Sequence, residues 1–183
     1  MQRISQLDPA HTPKPVAATL DAVKAKLGMV PNIFKTMAQA PAVLHGYLAL
    51  SGALGAGTLS PALREQIALV TAGINACDYC ASAHTALGKM AGLSPDEIKR
   101  NLTGNASDAK SHAAIVFAKK LVIDRGAVSD ADIAEIKTAG FSDEDVLEIL
   151  GNVVANIFTN YFNHLAGTDI DFPVVRTATA AAA

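Results

Sequence analysis

Glu65-Gln-Ile-Ala-Leu-Val-Thr-Ala-Gly-Ile-Asn-Ala-Cys77-Asp-Tyr-Cys80-Ala-Ser-Ala-His84 is the stretch around which the chain is organised. Its first half, Gln66 to Ala76, contains no charged residue. A helix that is apolar all round is a buried one, so this segment predicts the central helix of the fold. Asn75 to Asp78 reads as a break. A second helix then runs to about Ala91 and stops at Gly92.

Cys77 and Cys80 are the only cysteines, and His84 follows four residues after the second. Residues three, four and seven apart share a helix face, so one stripe carries two thiols and an imidazole. The thiolate is the reactive form of cysteine, and a helix N-terminus or a nearby His lowers a thiol pKa. Asn75 and Asp78 are both N-cap types. Either would put one cysteine in the first turn, where the helix dipole favours an anion. Glu65 heads a stripe continued by Ala68, Leu69, Ala72 and Ala76, and is either frayed into solvent or buried with a partner. The set supplies a nucleophile, a second thiol and a base. Zinc is the rival reading, but a structural site takes four ligands and only Cys77, Cys80, His84 and Glu65 are at hand, so no metal is expected.

At 183 residues the chain predicts a single domain, and half of its residues are hydrophobic against 17% charged, so it can bury a sizeable core. Its mean hydropathy of +0.27 leaves apolar surface for subunit contacts. A net charge of −2 with scattered Lys and Arg argues against a nucleic-acid partner. No apolar run approaches the ~18 residues of a membrane helix. Met1 to Pro9 has no apolar signal core, which predicts a cytoplasmic protein. Two close cysteines in that compartment point to redox or metal chemistry rather than a structural staple.

The flanking sequence reads as helix throughout, and no strand pattern survives, so the fold class is all-α. Residues 1–14, with Pro9 and Pro13, form an extended arm; 15–173 form one helical domain; 174–183 form a disordered Thr/Ala tail. Val16 to Leu27 is a helix stopped by Gly28, and Asn32 is a cap for a short helix to Ala38. Pro41 opens a helix to about Leu54, and the Gly52, Gly55, Gly57 cluster terminates it. Ser60-Pro61 opens the central helix. Ser94 and Glu97 stand at capping-box spacing before a helix ending near Leu102. Further helices cover Asp108 to Asp124, Ser129 to Ala139, and a last long one from Ser142 to about Ala166.

The last helix carries Glu148, Asn152, Asn156, Asn160 and His164 at four-residue steps. Such a row drifts ~40° per step, so only two or three neighbours share a face. Asn160 and His164 are therefore candidates for lining the thiol site, as is Tyr79 between the cysteines. His45 and His112 stand in no constellation and read as structural. Leu59-Ser60 with His84, and Phe141-Ser142 with His164, repeat at a spacing of 80 residues, setting Cys80 opposite Asn160. The sequence leaves an internal duplication open.

Glu65, then Cys77 twelve residues on, then Cys80 and His84, resembles the signature of the AhpD-like alkyl hydroperoxidases in the carboxymuconolactone decarboxylase superfamily. Pro31-Asn32, Pro41 and the Ser-Pro-opened helix extend the resemblance over most of the chain, toward the branch of peroxidase-related enzymes. The resemblance implies a compact helical fold, a homo-oligomer (trimer or hexamer), and reduction of hydrogen peroxide or small organic hydroperoxides without haem, metal or other cofactor. It implies that Cys80 is the peroxidatic cysteine, Cys77 the resolving one, and Glu65 and His84 a proton relay. An external dithiol or protein reductant would restore the thiols. The departure is at Tyr79, where well-studied members have a histidine. A thiol-disulfide exchange protein, a non-redox lyase like the superfamily's decarboxylases, and a binding protein are the alternatives.

Overall fold

A computed structural model describes residues 2–8 and 12–177. The described residues form nine α-helices and no strand, in agreement with the expected all-α class. They are α1 (Lys14–Leu27), α2 (Asn32–Met37), α3 (Pro41–Gly55), α4 (Pro61–Ile74), α5 (Asp78–Met90), α6 (Pro95–Leu102), α7 (Ala109–Ile123), α8 (Asp130–Thr138) and α9 (Asp143–Ala166).

The uncharged segment is indeed the axis. α4 packs against α5, α6, α7 and α9, and Ile67, Leu69, Val70 and Ala72 have no exposed surface. Gly73 is required by this crowding: a Cβ there would lie 2.0 Å from the Leu102 carbonyl oxygen, so α4 and the end of α6 touch backbone to backbone. Two apolar clusters divide the interior. One gathers α1, α2, α3 and α5 around both cysteines. The other joins α4, α7, α8 and α9.

Helix starts follow the serines. Ser60, Ser94, Ser129 and Ser142 each accept from the backbone N–H three residues on, satisfying one of the donors a helix start leaves open. Two expectations need correction. Only half of the capping box at Ser94 forms, because the Glu97 carboxylate turns instead to Ser107 N–H, Asn101 and Gln66. Asn32 does not cap α2. The open donors there go to tertiary partners: Asn32 N–H to Asp171 Oδ2 at 2.8 Å and Ile33 N–H to the Tyr79 hydroxyl at 3.2 Å.

The arm packs back on the body, with Arg3 N–H and Ile4 N–H on the Ala166 carbonyl and Leu7 N–H on that of Lys35. Residues 175–177, within the expected tail, are tied to α5. Val175 N–H donates to Ser82 Oγ, Thr177 N–H and Oγ1 donate to Asp78 Oδ1, and Arg176 pairs with Asp78 Oδ2. Backbone ties of this kind leave no side-chain pattern to read. Residues 178–183, the rest of the expected tail, lie outside the described residues.

Candidate active site

The turn between α4 and α5 delivers the thiols. α4 ends with Ala76 N–H on the Gly73 carbonyl (3.3 Å) and Cys77 N–H on the Ala72 carbonyl (3.0 Å), the paired bonds of a Schellman motif. The motif needs a left-handed residue, and Ala76 takes it at φ 52° where glycine is usual, one residue before Cys77. Cys77 is then the N-cap of α5, not Asn75 or Asp78 as the residue types suggest. Asn75 is the C-cap of α4. Asp78 is first in α5, and its carboxylate holds Arg176 and Thr177. Cys80 falls in the first turn, as the spacing requires, where open N–H groups and the helix dipole favour a negative charge.

Both thiols are free and buried, Cys77 1% exposed and Cys80 2%. The Cys77 thiol donates to Cys80, and this bond above all lowers the Cys80 pKa to about 6. Burial opposes the shift; the positive charge of His84 and the Asn163 and Asn160 amides add to it. The same bond, with burial, pushes the Cys77 thiol up. Cys80 is therefore the acidic member of the pair, a distinction that spacing alone left open.

His84 Nδ1 lies 2.8 Å from Glu65 Oε2, both side chains about four-fifths covered. A carboxylate only accepts, so Nδ1 carries the proton and the neutral ring has its lone pair on Nε2. Burial depresses the His84 pKa, but the Glu65 charge and hydrogen bond, helped by Cys80, outweigh it and the net shift is upward. Glu65 is thus partnered, and partly buried, rather than frayed into solvent. Among the described residues, no three His, Cys, Asp or Glu side chains converge as metal ligands.

α9 closes the site. Asn163 Nδ2 donates to Cys80 Sγ at 3.2 Å. The Cys80 S–H points to Thr159 Oγ1 at 3.9 Å, and that hydroxyl donates to the Asn156 carbonyl. Asn160 is fully buried, with Oδ1 accepting from Asn75. The other members of the polar row part company. Glu148 binds the Thr58 and Leu59 N–H groups, Asn152 and Asn156 bond the preceding helix turn, and His164 is exposed rather than at the thiols. Tyr79 does not offer its hydroxyl to the thiols either. That hydroxyl donates to Asp171 Oδ1 (2.9 Å) and accepts from Ile33, tying α5 to α2 and the C-terminal segment.

Sequence reasoning missed Asn163 and Tyr47. Asn163 follows Asn160 by three residues, so the helical-face rule was available to find it. Tyr47 carries no such signal. It stacks with Phe158 of α9 (5.8 Å) and tilts against Phe34 of α2 (6.0 Å). Its pKa is raised to about 12 by burial and then by the Cys80 charge, with Glu65 adding to the rise and a Ser51 hydrogen bond opposing it.

Residues 41–123, from α3 to α7, match the Carboxymuconolactone decarboxylase family. The fold is similar to an uncharacterized peroxidase-related protein with an alkylhydroperoxidase AhpD core from Ralstonia eutropha JMP134 (TM-score 0.86, 26% identity, 93% of this chain and 92% of that one). It is also similar to an uncharacterized peroxidase-related protein from Silicibacter sp. TM1040 (TM-score 0.81, 27% identity, 91% and 90%). A variant of the debrominase Bmp8 in complex with 2,3,4-tribromopyrrole shares the fold at 19% identity (TM-score 0.78, 93% and 92%). No curated protein sequence matches the chain. The family match over α3 to α7 and the two peroxidase-related structures together support assignment to the AhpD-like and carboxymuconolactone decarboxylase superfamily.

Proposed function

We propose that this protein is a dithiol peroxidase for hydrogen peroxide or small organic hydroperoxides. One observation carries the reading: Cys80, buried and acidic in the first turn of α5, accepts from the protonated Cys77 thiol and feels the charge of His84, which is itself bonded to Glu65. The Cys80 thiolate attacks the distal peroxide oxygen. The S–O bond forms as the O–O bond breaks, and the departing alkoxide, or hydroxide from hydrogen peroxide, takes the proton that His84 Nε2 accepted from the Cys80 thiol. Cys77 then displaces water from the sulfenic acid, giving the Cys77–Cys80 disulfide. An external dithiol, small or protein-borne, returns both thiols by exchange.

Burial of both sulfurs favours a small oxidant over a protein disulfide, which must bring its own sulfur into line. That favours the peroxidase over the exchange-protein reading, and peroxide consumption with a simple dithiol separates the two. A lyase or a binding protein would not need the two thiols. The partnership with a second copy of the chain is supported by the α9 surface. Leu147, Leu150, Val154, Phe158, Tyr161 and Leu165 recur every three or four residues and are all exposed, a continuous apolar stripe. No helix among the described residues is long and apolar enough to cross a membrane, which is compatible with the cytoplasmic placement we adopt.

The test is intact mass and free-thiol count before and after one equivalent of an organic hydroperoxide. The expected result is loss of two hydrogens and both thiols, abolished in Cys80→Ser. Thiols that survive prolonged exposure sink the peroxidase reading.

A further inference from the structure

Asn160 has no exposed surface, and the two ends of its carboxamide are in different situations. Its Oδ1 accepts from Asn75 Nδ2 at 2.9 Å, which fixes the plane and the sense of the amide. Its Nδ2, equally buried, makes no hydrogen bond of ordinary geometry, yet the amide stands close enough to Cys80 to help lower its pKa. Buried amide N–H groups are nearly always paired, and one left open at a reactive centre calls for a reason. The surroundings supply it. Asn163, on the same face three residues on, donates to Cys80 Sγ, and Thr159 faces the same sulfur. Asn75 belongs to the turn that presents Cys77. The open N–H is thus part of the wall around the Cys80 sulfur.

Oxidation changes what that wall must hold. Once Cys80 has taken an oxygen from the peroxide, the new oxygen carries lone pairs, while Asn163 is already engaged on the sulfur. We propose that Asn160 Nδ2 is the hydrogen-bond donor for the oxygen of the Cys80 sulfenic acid. α9 then grips the oxidised residue with two amides, Asn163 on sulfur and Asn160 on oxygen. Asn75 is the positioning residue that keeps the N–H end of Asn160 inward. Before oxidation the same N–H faces the thiolate and favours its charge. This assignment rests on the peroxidase reading and names how the same site holds its intermediate.

The experiment uses the full chain carrying Cys77→Ser, in which the sulfenic acid cannot condense. The rate of Cys80 alkylation by iodoacetamide is followed against pH. Separately, excess hydrogen peroxide is added, and dimedone-trapped sulfenic acid is followed against over-oxidised product by mass spectrometry. Adding Asn160→Leu is expected to move the alkylation midpoint up by about one pH unit, near tenfold slower alkylation below it, and to shorten the sulfenic acid lifetime several-fold. Asn75→Ala, at a half-buried position, is expected to give the same changes at smaller size. A cooperatively folded Asn160→Leu chain with unchanged midpoint and lifetime overturns the assignment. Where Asn160→Leu does not fold, Asn75→Ala decides alone, and no change in it overturns the assignment as well. An otherwise unsubstituted chain that consumes peroxide while both variants leave the midpoint and lifetime unmoved keeps the peroxidase reading and sinks this one. A chain inert to peroxide overturns both readings, even where its midpoint still shifts.

Discussion

α9 begins at Ser142, whose hydroxyl accepts from the Asp145 N–H at 3.1 Å while the Asp145 carboxylate accepts from the Ser142 N–H at 2.8 Å. α5 begins at Cys77, which makes no side-chain cap of that kind. The first turn of α9 adds Asp143 and Glu144 to Asp145, so carboxylates answer its positive end. The first turn of α5 has only Asp78, and that carboxylate is taken up by Arg176 and Thr177. The same backbone field is thus met by structural carboxylates in one helix and by a thiol in the other. An uncapped start costs stability and lets the field favour the Cys80 anion.

Converting the α5 start to the α9 type is the hardest test of this contrast. In Cys77→Ser the hydroxyl is a good cap, so stability is expected to hold or rise by up to about 1 kcal/mol in urea denaturation. Catalytic turnover with peroxide and a dithiol is expected to vanish, with one oxidation equivalent consumed per chain. Sustained turnover would show that Cys77 is only a cap.

Glu65→Gln is expected to slow peroxide consumption roughly tenfold, read by stopped-flow kinetics. In the unsubstituted protein the rate is expected to climb as pH passes about 6, the Cys80 value. Losing the Glu65 charge lowers the His84 pKa, removes imidazolium beside the thiolate, and moves that rise to higher pH. Stability follows the opposite sign of linkage. A raised His84 pKa stabilises fully below its ordinary 6.5 and fades as pH climbs through the raised value. The variant should therefore lose more stability at pH 6 than at pH 9.

Ser142→Ala is the mildest change. It is expected to cost about 1 kcal/mol by chemical denaturation and to leave the alkylation rate of Cys80 unmoved. A shifted thiol rate would mean that the two helix starts are coupled through α9.

Much of this was legible because it is local. Ser60-Pro61 and Ser142 mark helix starts through bonds spanning three residues, and the uncharged run from Gln66 marks the central helix because nothing in it can face water. Cys80 and His84 share a face by helix period alone. The row at Glu148, Asn152, Asn156, Asn160 and His164 misled where locality ended. Its regular spacing says nothing of which neighbour each residue meets, so His164 went to the surface and Asn163, outside the row, reached the sulfur. Tyr79 was open to either role until Asp171, 92 residues away, took its hydroxyl.

By itself, then, the sequence determined an all-helical chain with a buried central helix and a Cys-x-x-Cys-x-x-x-His stripe following it, since hydrophobic period and capping act within a few residues. Only the tertiary structure decided which thiol is acidic, that Glu65 meets His84, that Asn160 and Asn163 surround Cys80, and that residues 175–177 fasten to α5. Each of those depends on side chains brought together from separate helices, and both the charge felt by a buried sulfur and the partner of a buried amide are set by that packing.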